Sequence, residues 1–171
     1  MVKLRDILIT DIQDYIEWFT KEIEWMDYDA PWEKEVENSL DVENRYKNIY
    51  DRTKQFTDAD IRYRFEIDVD GEHIGWVSAY IIDENPDKLA IGIDIPNKNN
   101  RGKSYGKQAM ELFIDYYKNK GYTQIYTQTW SGNTRMINLA LKLGFIEVNR
   151  EYDKRIVNNK RFDALTFKKI V

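Results

Sequence analysis

Arg101-Gly102-Lys103-Ser104-Tyr105-Gly106-Lys107 combines two glycines, three cations and two hydroxyls in seven residues, and from Asn97 onward Lys98 adds a fourth cation with no acid in the stretch. The chain as a whole carries −4, so this is a local reversal of charge, and the group it suits is a polyphosphate. The first N–H groups of a helix have no intrahelical partner and stand at the positive end of its dipole. Gly102 and Gly106, lacking Cβ atoms, let the backbone approach an anion closely. A second phosphate reading competes. Gly102-Lys103-Ser104 matches the tail of the nucleoside triphosphate loop G-x-x-x-x-G-K-[ST], but Asn97 stands at its first glycine, and the apolar strand ending in Asp that would hold magnesium is missing downstream.

Such a loop needs a strand before it and a helix after it, and the hydrophobic periods supply both. Leu89 to Ile95 alternates Leu89, Ile91, Ile93 and Ile95 against Ala90, Gly92 and Asp94, which predicts a strand. Pro96 ends it, and Gly92 with Pro96 is consistent with a bulge and an early exit, the alternative for Gly92 being relief of packing. Ser104 to Lys120 carries Ala109, Met110, Phe113, Ile114 and Tyr117 at helical spacing. The unit then repeats as a strand, Ile125 to Trp130, and a short helix, Asn133 to Leu143, with Asn133 as its N-cap.

Upstream, residues 2–9 read as a strand, a helix follows Asp11, an aromatic connection runs from Glu24 to Trp32, and a second helix is expected over Glu33 to Arg52. Period-two alternation from Arg62 to Val69 and from Ile74 to Tyr80, around Asp70-Gly71, predicts a hairpin. Two more strands, Phe145–Tyr152 and Arg161–Ile170, flank Asn158-Asn159. The order β-α-α-β-β-β-α-β-α-β-β predicts one α/β domain over residues 1–171, a mixed sheet with helices on both faces.

Composition removes several chemistries. No cysteine means no disulfide, thiolate nucleophile or Cys-ligated zinc, and His73, the single histidine, makes no metal cluster by itself, so no metal is expected. A predicted pI near 5.2 argues against nucleic acid as a partner. Charges break up the first thirty residues and no apolar run would span a bilayer, so the expectation is a cytoplasmic protein with no membrane partner.

Arg101-x-x-Ser104-x-Gly106 resembles the [Gln/Arg]-x-x-Gly-x-[Gly/Ala] pattern of the GCN5-related N-acetyltransferase (GNAT) family. Asn133-Thr-Arg-Met-Ile-Asn-Leu-Ala-Leu-Lys-Leu-Gly-Phe145 is similar to that family's second signature, an Asn opening a short helix that ends in Lys-Leu-Gly-Phe. The resemblance spans residues 89 to 150, and the style of the Asn133 helix is similar to the RimJ/RimL-like branch, which includes ribosomal-protein acetyltransferases. Ser104 departs from the usual glycine, and the approach from Pro96 to Arg101 is about two residues longer than usual.

The resemblance implies a mostly antiparallel sheet of about seven strands with about four helices, and acetyl-CoA as acyl-donor co-substrate. Its pantetheine would pair with Ile93, Asp94 and Ile95 in a gap between the Leu89–Ile95 and Tyr122–Thr129 strands. Its pyrophosphate would rest on the amides of Arg101, Gly102, Lys103, Ser104, Tyr105, Gly106 and Lys107, with Asn133 and Lys142 also at the ligand. A backbone N–H at Asp94 or Ile95 is the implied oxyanion donor. Ala140 stands where many relatives have the tyrosine assigned to protonation of the departing thiolate; Tyr126, Ser131 and Tyr152 are the substitutes. An amine acceptor must lose a proton before it attacks, and Asp94, Glu66, Asp68 and His73 are the candidate bases. A non-catalytic acyl-CoA-binding module on the same fold is the alternative.

Between Asp11 and Asn44 twelve acids face two lysines, a balance of −10. In the family this segment walls the acceptor site, so a cationic amine or peptide is expected there, with Trp25, Asp27, Tyr28 and Trp32 as its contacts. A monomer or a homodimer fits the sequence equally.

Overall fold

Strand pairing joins β1 (Val2–Arg5), β2 (Arg64–Val69), β3 (Glu72–Ile81), β4 (Leu89–Asp94), β5 (Gln124–Trp130), β6 (Ile146–Val157) and β7 (Lys160–Ile170) into one sheet of order β1-β2-β3-β4-β5-β7-β6. The computed structural model describes residues Met1 to Val171. The helices are α1 (Ile12–Thr20), α2 (Ser39–Thr53), α3 (Tyr105–Asn119) and α4 (Thr134–Lys142). Every pairing is antiparallel except β4 with β5, and α3 makes the crossover that a parallel neighbour requires.

Each face of the sheet has its own core. Ile67, Val77, Leu89, Ile91, Ile125 and Phe167 meet Ala109, Met110, Phe113 and Tyr117 of α3 and Ala140 of α4. On the other side Trp76 packs with Tyr15 and Trp18 of α1, Val42 and Tyr46 of α2, and Trp25 of the connection between them. Neighbours Trp76 and Val77 are both buried, on opposite faces, as strand alternation requires. Burial of such large side chains stabilises the domain by roughly 2 kcal/mol each.

Four local expectations are corrected. The first strand ends at Arg5, and Ile9–Asp11 forms a 3-10 turn in which the Leu8 amide donates to Asp11 Oδ2 at 2.7 Å. The second helix starts at Ser39, not Glu33: Pro31–Glu33 is a separate 3-10 turn, and the Asn38 side chain accepts from the amides of Leu40 and Asp41. The penultimate strand runs on to Val157 past two irregularities. No bulge occurs at Gly92, where β3 and β4 pair without interruption from Ile81↔Leu89 to Trp76↔Asp94. The irregularity lies one strand away, where β3 slips against β2 between Ile67 and Asp68.

Candidate active site

The β4–β5 ladder contains one aligned pair, Ala90↔Tyr126, after which the strands part. Thr127, fully buried, fills the fork, and its Oγ1 donates to the Ile91 carbonyl at 2.8 Å. Since the Ile91 carbonyl faces β5, strand alternation turns the N–H groups of Ile93 and Ile95 to the same open edge. The Ile95 carbonyl is taken by Arg101 Nε at 2.8 Å, while the two terminal nitrogens of Arg101 bind the Pro96 carbonyl and Glu24 Oε2. The Arg101 side chain thus fastens the loop, and its backbone neighbours are left to meet a ligand.

Those neighbours form a row of free donors. The first backbone bond of α3 runs from the Gln108 amide to the Ser104 carbonyl, so the amides from Gly102 to Lys107 donate to no group of the chain, and no side chain caps the helix. Gly102 and Ser104 have φ of +74° and +65°, which turns successive amides inward as an anion cradle. Asn133 caps α4 through Oδ1, which accepts from the Met136 amide at 3.0 Å, and its side-chain Nδ2 donates to nothing in the chain.

Fork and cradle open into one cavity of about 940 Å³. Gly102, Ser104, Gly106, Lys107, Asn133 and Lys142 line one end, with Ile93, Asp94 and Ile95 on the strand between. Lys103 and Tyr105 are not among the lining side chains, and Lys103 Nζ lies 6.0 Å over the Tyr105 ring instead.

Asp94, the last residue of β4, projects to the α1/α2 face with Trp76, its cross-strand partner. There it shares the cavity wall with Asp29. Burial, and then the charge of Asp29, push the Asp94 carboxyl well above the usual carboxylate range against the opposing pull of Arg64 and Arg101. Desolvation against the cleft walls and then Glu33 raise Asp29 as well. The charge of Asp29 thus disfavours a second charge at Asp94, and the two carboxyls titrate as neighbours. Gly75 makes room for this corner: a Cβ there would stand 2.1 Å from the Asp94 carbonyl oxygen.

Glu66 and Tyr152 are not brought to this cavity. Glu66 is buried behind Trp76, where Tyr15 and Arg64 donate to it and His73 Nε2 lies 3.0 Å away. His73 Nδ1 meets Asp14 at 2.9 Å. Burial tends to lower the His73 pKa, but Asp14 and Glu66 outweigh it and carry the ring up to about 9, so it sits as a cation in a structural network. Asp68 pairs with Arg5 at 3.1 Å. Tyr152 projects into solvent, 77% exposed, on an irregular stretch of β6. Ala140 is fully buried, Ser131 Oγ accepts from the Asp163 amide, and neither Tyr126 nor Ser131 lines the cavity.

The aromatic wall of the cavity also differs from the sequence expectation. Trp25, Tyr28 and Trp32 line the cavity, and Asp27 does not, being paired outside with Lys34 at 2.7 Å. Trp25 is in the core, the Tyr28 ring is covered by Arg135 at 3.8 Å, and the Trp32 ring by Arg155 at 4.4 Å. Much of the −10 imbalance is absorbed by ion pairs, Asp11 with Arg5, Glu24 with Arg101 and Glu37 with Arg45 among them. Asp29 is the acid of that segment left facing the cavity.

Sequence reasoning singled out neither Asp29 among twelve acids nor Arg135 and Arg155. It also missed Tyr80 and Gln128, a hydrogen-bonded pair at 2.8 Å on the cavity floor. Burial, then Asp29, raises Tyr80 to about 12. One signal was available: Arg135 is a cation in the first turn of a helix that has no acid there.

Comparison with known proteins places this geometry. An N-acetyltransferase from Staphylococcus aureus superposes with a TM-score of 0.75 at 14% identity, covering 99% of this chain and 98% of that one. A ribosomal-protein-alanine N-acetyltransferase from Brucella melitensis gives 0.75 at 16% identity, covering 99% of both. The Microcin C7 self-immunity acetyltransferase MccE, in complex with acetyl-CoA and AMP, gives 0.75 at 18% identity over 99% of this chain and 92% of that one. At these identities the likeness shows the fold. The family model for the acetyltransferase (GNAT) domain matches residues 2–146, which sets aside the nucleoside triphosphate reading of Gly102-Lys103-Ser104, and the chain belongs to the GNAT acetyltransferase family.

Proposed function

We propose that the protein transfers an acetyl group from acetyl-CoA directly to a primary amine that arrives as an ammonium at Asp29 and Asp94. The observation that carries this reading is the run of unpartnered amides from Gly102 to Lys107, opening onto the same cavity as the free edge of β4 and the Asp94 carboxyl. The cradle suits the pyrophosphate of acetyl-CoA, and its pantetheine replaces the missing β5 ladder along Ile93 and Ile95.

An ammonium with an ordinary pKa of about 10.4 must lose a proton before its nitrogen attacks. A carboxylate of ordinary acidity accepts that proton poorly, and Asp94, raised by burial and Asp29, accepts it better. The amine nitrogen then bonds to the thioester carbon, negative charge develops on the carbonyl oxygen, and the Ile95 or Ile93 N–H is the donor on that edge. The C–S bond breaks and CoA leaves as a thiolate, a tolerable leaving group with no acid at Ala140. The acceptor is a small molecule or a peptide N-terminus. The second kind agrees with the helix style of the RimJ/RimL-like branch.

Two measurements test this. Acetyl-CoA is expected to raise the unfolding midpoint by mass action, and a panel of amines is screened for acetyl-CoA-dependent thiol release. A Gly106→Glu variant that folds but still binds acetyl-CoA would overturn the placement of the cradle.

A further inference from the structure

The acceptor wall carries two guanidinium groups with nothing to bind. Of the ten arginines, seven contact a carboxylate: Arg5, Arg45, Arg62, Arg64, Arg101, Arg150 and Arg161. Arg52 donates to the Asn48 carbonyl. Arg135 and Arg155 remain, and both line the cavity. Each stands over an aromatic ring of the 23–33 connection, Arg135 over Tyr28 at 3.8 Å and Arg155 over Trp32 at 4.4 Å.

The ring face holds each guanidinium by cation–π attraction without using its N–H donors, which remain available for two-pronged contact with a carboxylate or phosphate. Neither arginine is explained by its own element. Arg135 occupies the first turn of α4, the positive end of the dipole, where a cation is unfavourable and no neighbouring acid compensates. Arg155 resumes pairing with Phe162 after an irregularity that spans Glu151 to Arg155, with Asp153 at φ +53°. Such irregularities re-aim side chains, and this one turns Arg155, half-buried in a largely exposed strand, toward Trp32. Glu151, the acid nearest in sequence on that wall, is paired with Lys154 at 3.1 Å.

We infer that the acceptor carries an oxyanion, a carboxylate or a phosphate, held by Arg135 and Arg155 while its amine is received at Asp29 and Asp94. Opposite charges on the wall then read opposite ends of one zwitterionic molecule, and purely cationic amines such as polyamines are disfavoured. The inference rests on the acetyl-transfer reading above and refines its acceptor class.

Matched amines separate the possibilities: glutamate against glutamine amide, and phosphoethanolamine against ethanolamine, with spermidine as the polycation, all assayed by thiol release. At least one oxyanion-bearing member is expected to exceed its neutral twin in kcat/KM by tenfold or more. The pair that discriminates tells carboxylate from phosphate. In Arg135→Leu and Arg155→Leu the acceptor KM is expected to rise about tenfold with the acetyl-CoA KM unchanged. Equal rates within both pairs, preference for spermidine, or a rise confined to the acetyl-CoA KM would overturn the inference; the last would assign the arginines to the co-substrate. Because the matched pairs are compared on the unaltered protein, poor folding of a variant does not rescue the idea. Absence of both an acetyl-CoA-induced midpoint rise and thiol release with any amine would instead overturn the acetyl-transfer reading beneath it.

Discussion

Thr127 Oγ1 donates to the Ile91 carbonyl across 2.8 Å at the point where β4 and β5 part. The hydroxyl replaces the backbone donor that a continuing parallel ladder would have supplied, so the fork is closed at its apex and open beyond it. Thr127→Val keeps the shape and leaves the buried carbonyl without a partner. The expected cost is about 1–3 kcal/mol in denaturant unfolding, with a weaker acetyl-CoA-induced rise in midpoint. Wild-type stability in this variant would mean that the fork is held elsewhere.

Asp94→Asn is expected to lower kcat by about 10²-fold or more without loss of stability, because it removes one member of a repelling pair. For the unaltered enzyme the sign follows from the raised carboxyl: activity is low while Asp94 is protonated and rises as pH climbs through its elevated pKa, above the usual value of about 4. Asp29→Asn removes a charge that holds Asp94 up, so the acidic limb of the pH–rate profile moves to lower pH. An unmoved limb would show that the two carboxyls do not communicate.

Ser104 holds φ at +65° in the cradle, a conformation that costs an L-residue about 1 kcal/mol or more and costs glycine little. Ser104→Gly should therefore raise the unfolding midpoint of the apo protein by about 2–4 °C and leave or improve acetyl-CoA affinity. A fall in both would mean that the serine hydroxyl serves the ligand.

His73 gives the fold a pH dependence of its own. Its ring is raised from 6.5 to about 9 by Asp14 and Glu66. A folded-state pKa above the unfolded one means that the contribution is complete below about pH 6.5 and is lost as pH rises toward about 9. The loss is on the order of 3 kcal/mol. Unfolding midpoints measured across that window should fall, and His73→Gln should flatten the slope.

The sequence made the second half of the site readable because its determinants are local. Ser104 to Lys107 and Asn133 sit at helix starts, and helix starts are written in adjacent residues. The same locality would have placed the start of α2 at Ser39, since Asn38 is an ordinary N-cap. What escaped depends on partners far along the chain. Gly75 matters because Asp94 passes it, and no alternation pattern records that approach. The acid-rich segment looked like a field for cations because Arg5, Arg45 and Arg101, which neutralise parts of it, lie outside residues 11–44. Tyr28 and Trp32 looked like open faces because Arg135 and Arg155 come from α4 and β6.

Trp130, at the end of β5, donates its indole N–H to the Tyr28 carbonyl at 2.9 Å, and Gly132 lies so close to the indole that a Cβ would stand 1.8 Å from it. The peptide that carries the acceptor wall is therefore riveted to one jaw of the fork. Changes in acceptor preference can accumulate on the rim, by exchanging side chains such as Arg135 or Arg155, without shifting the alignment between nucleophile and thioester. Scaffold and selector are separable here, which makes the rim the place to retarget the enzyme and the Trp130–Gly132 corner the place to leave alone.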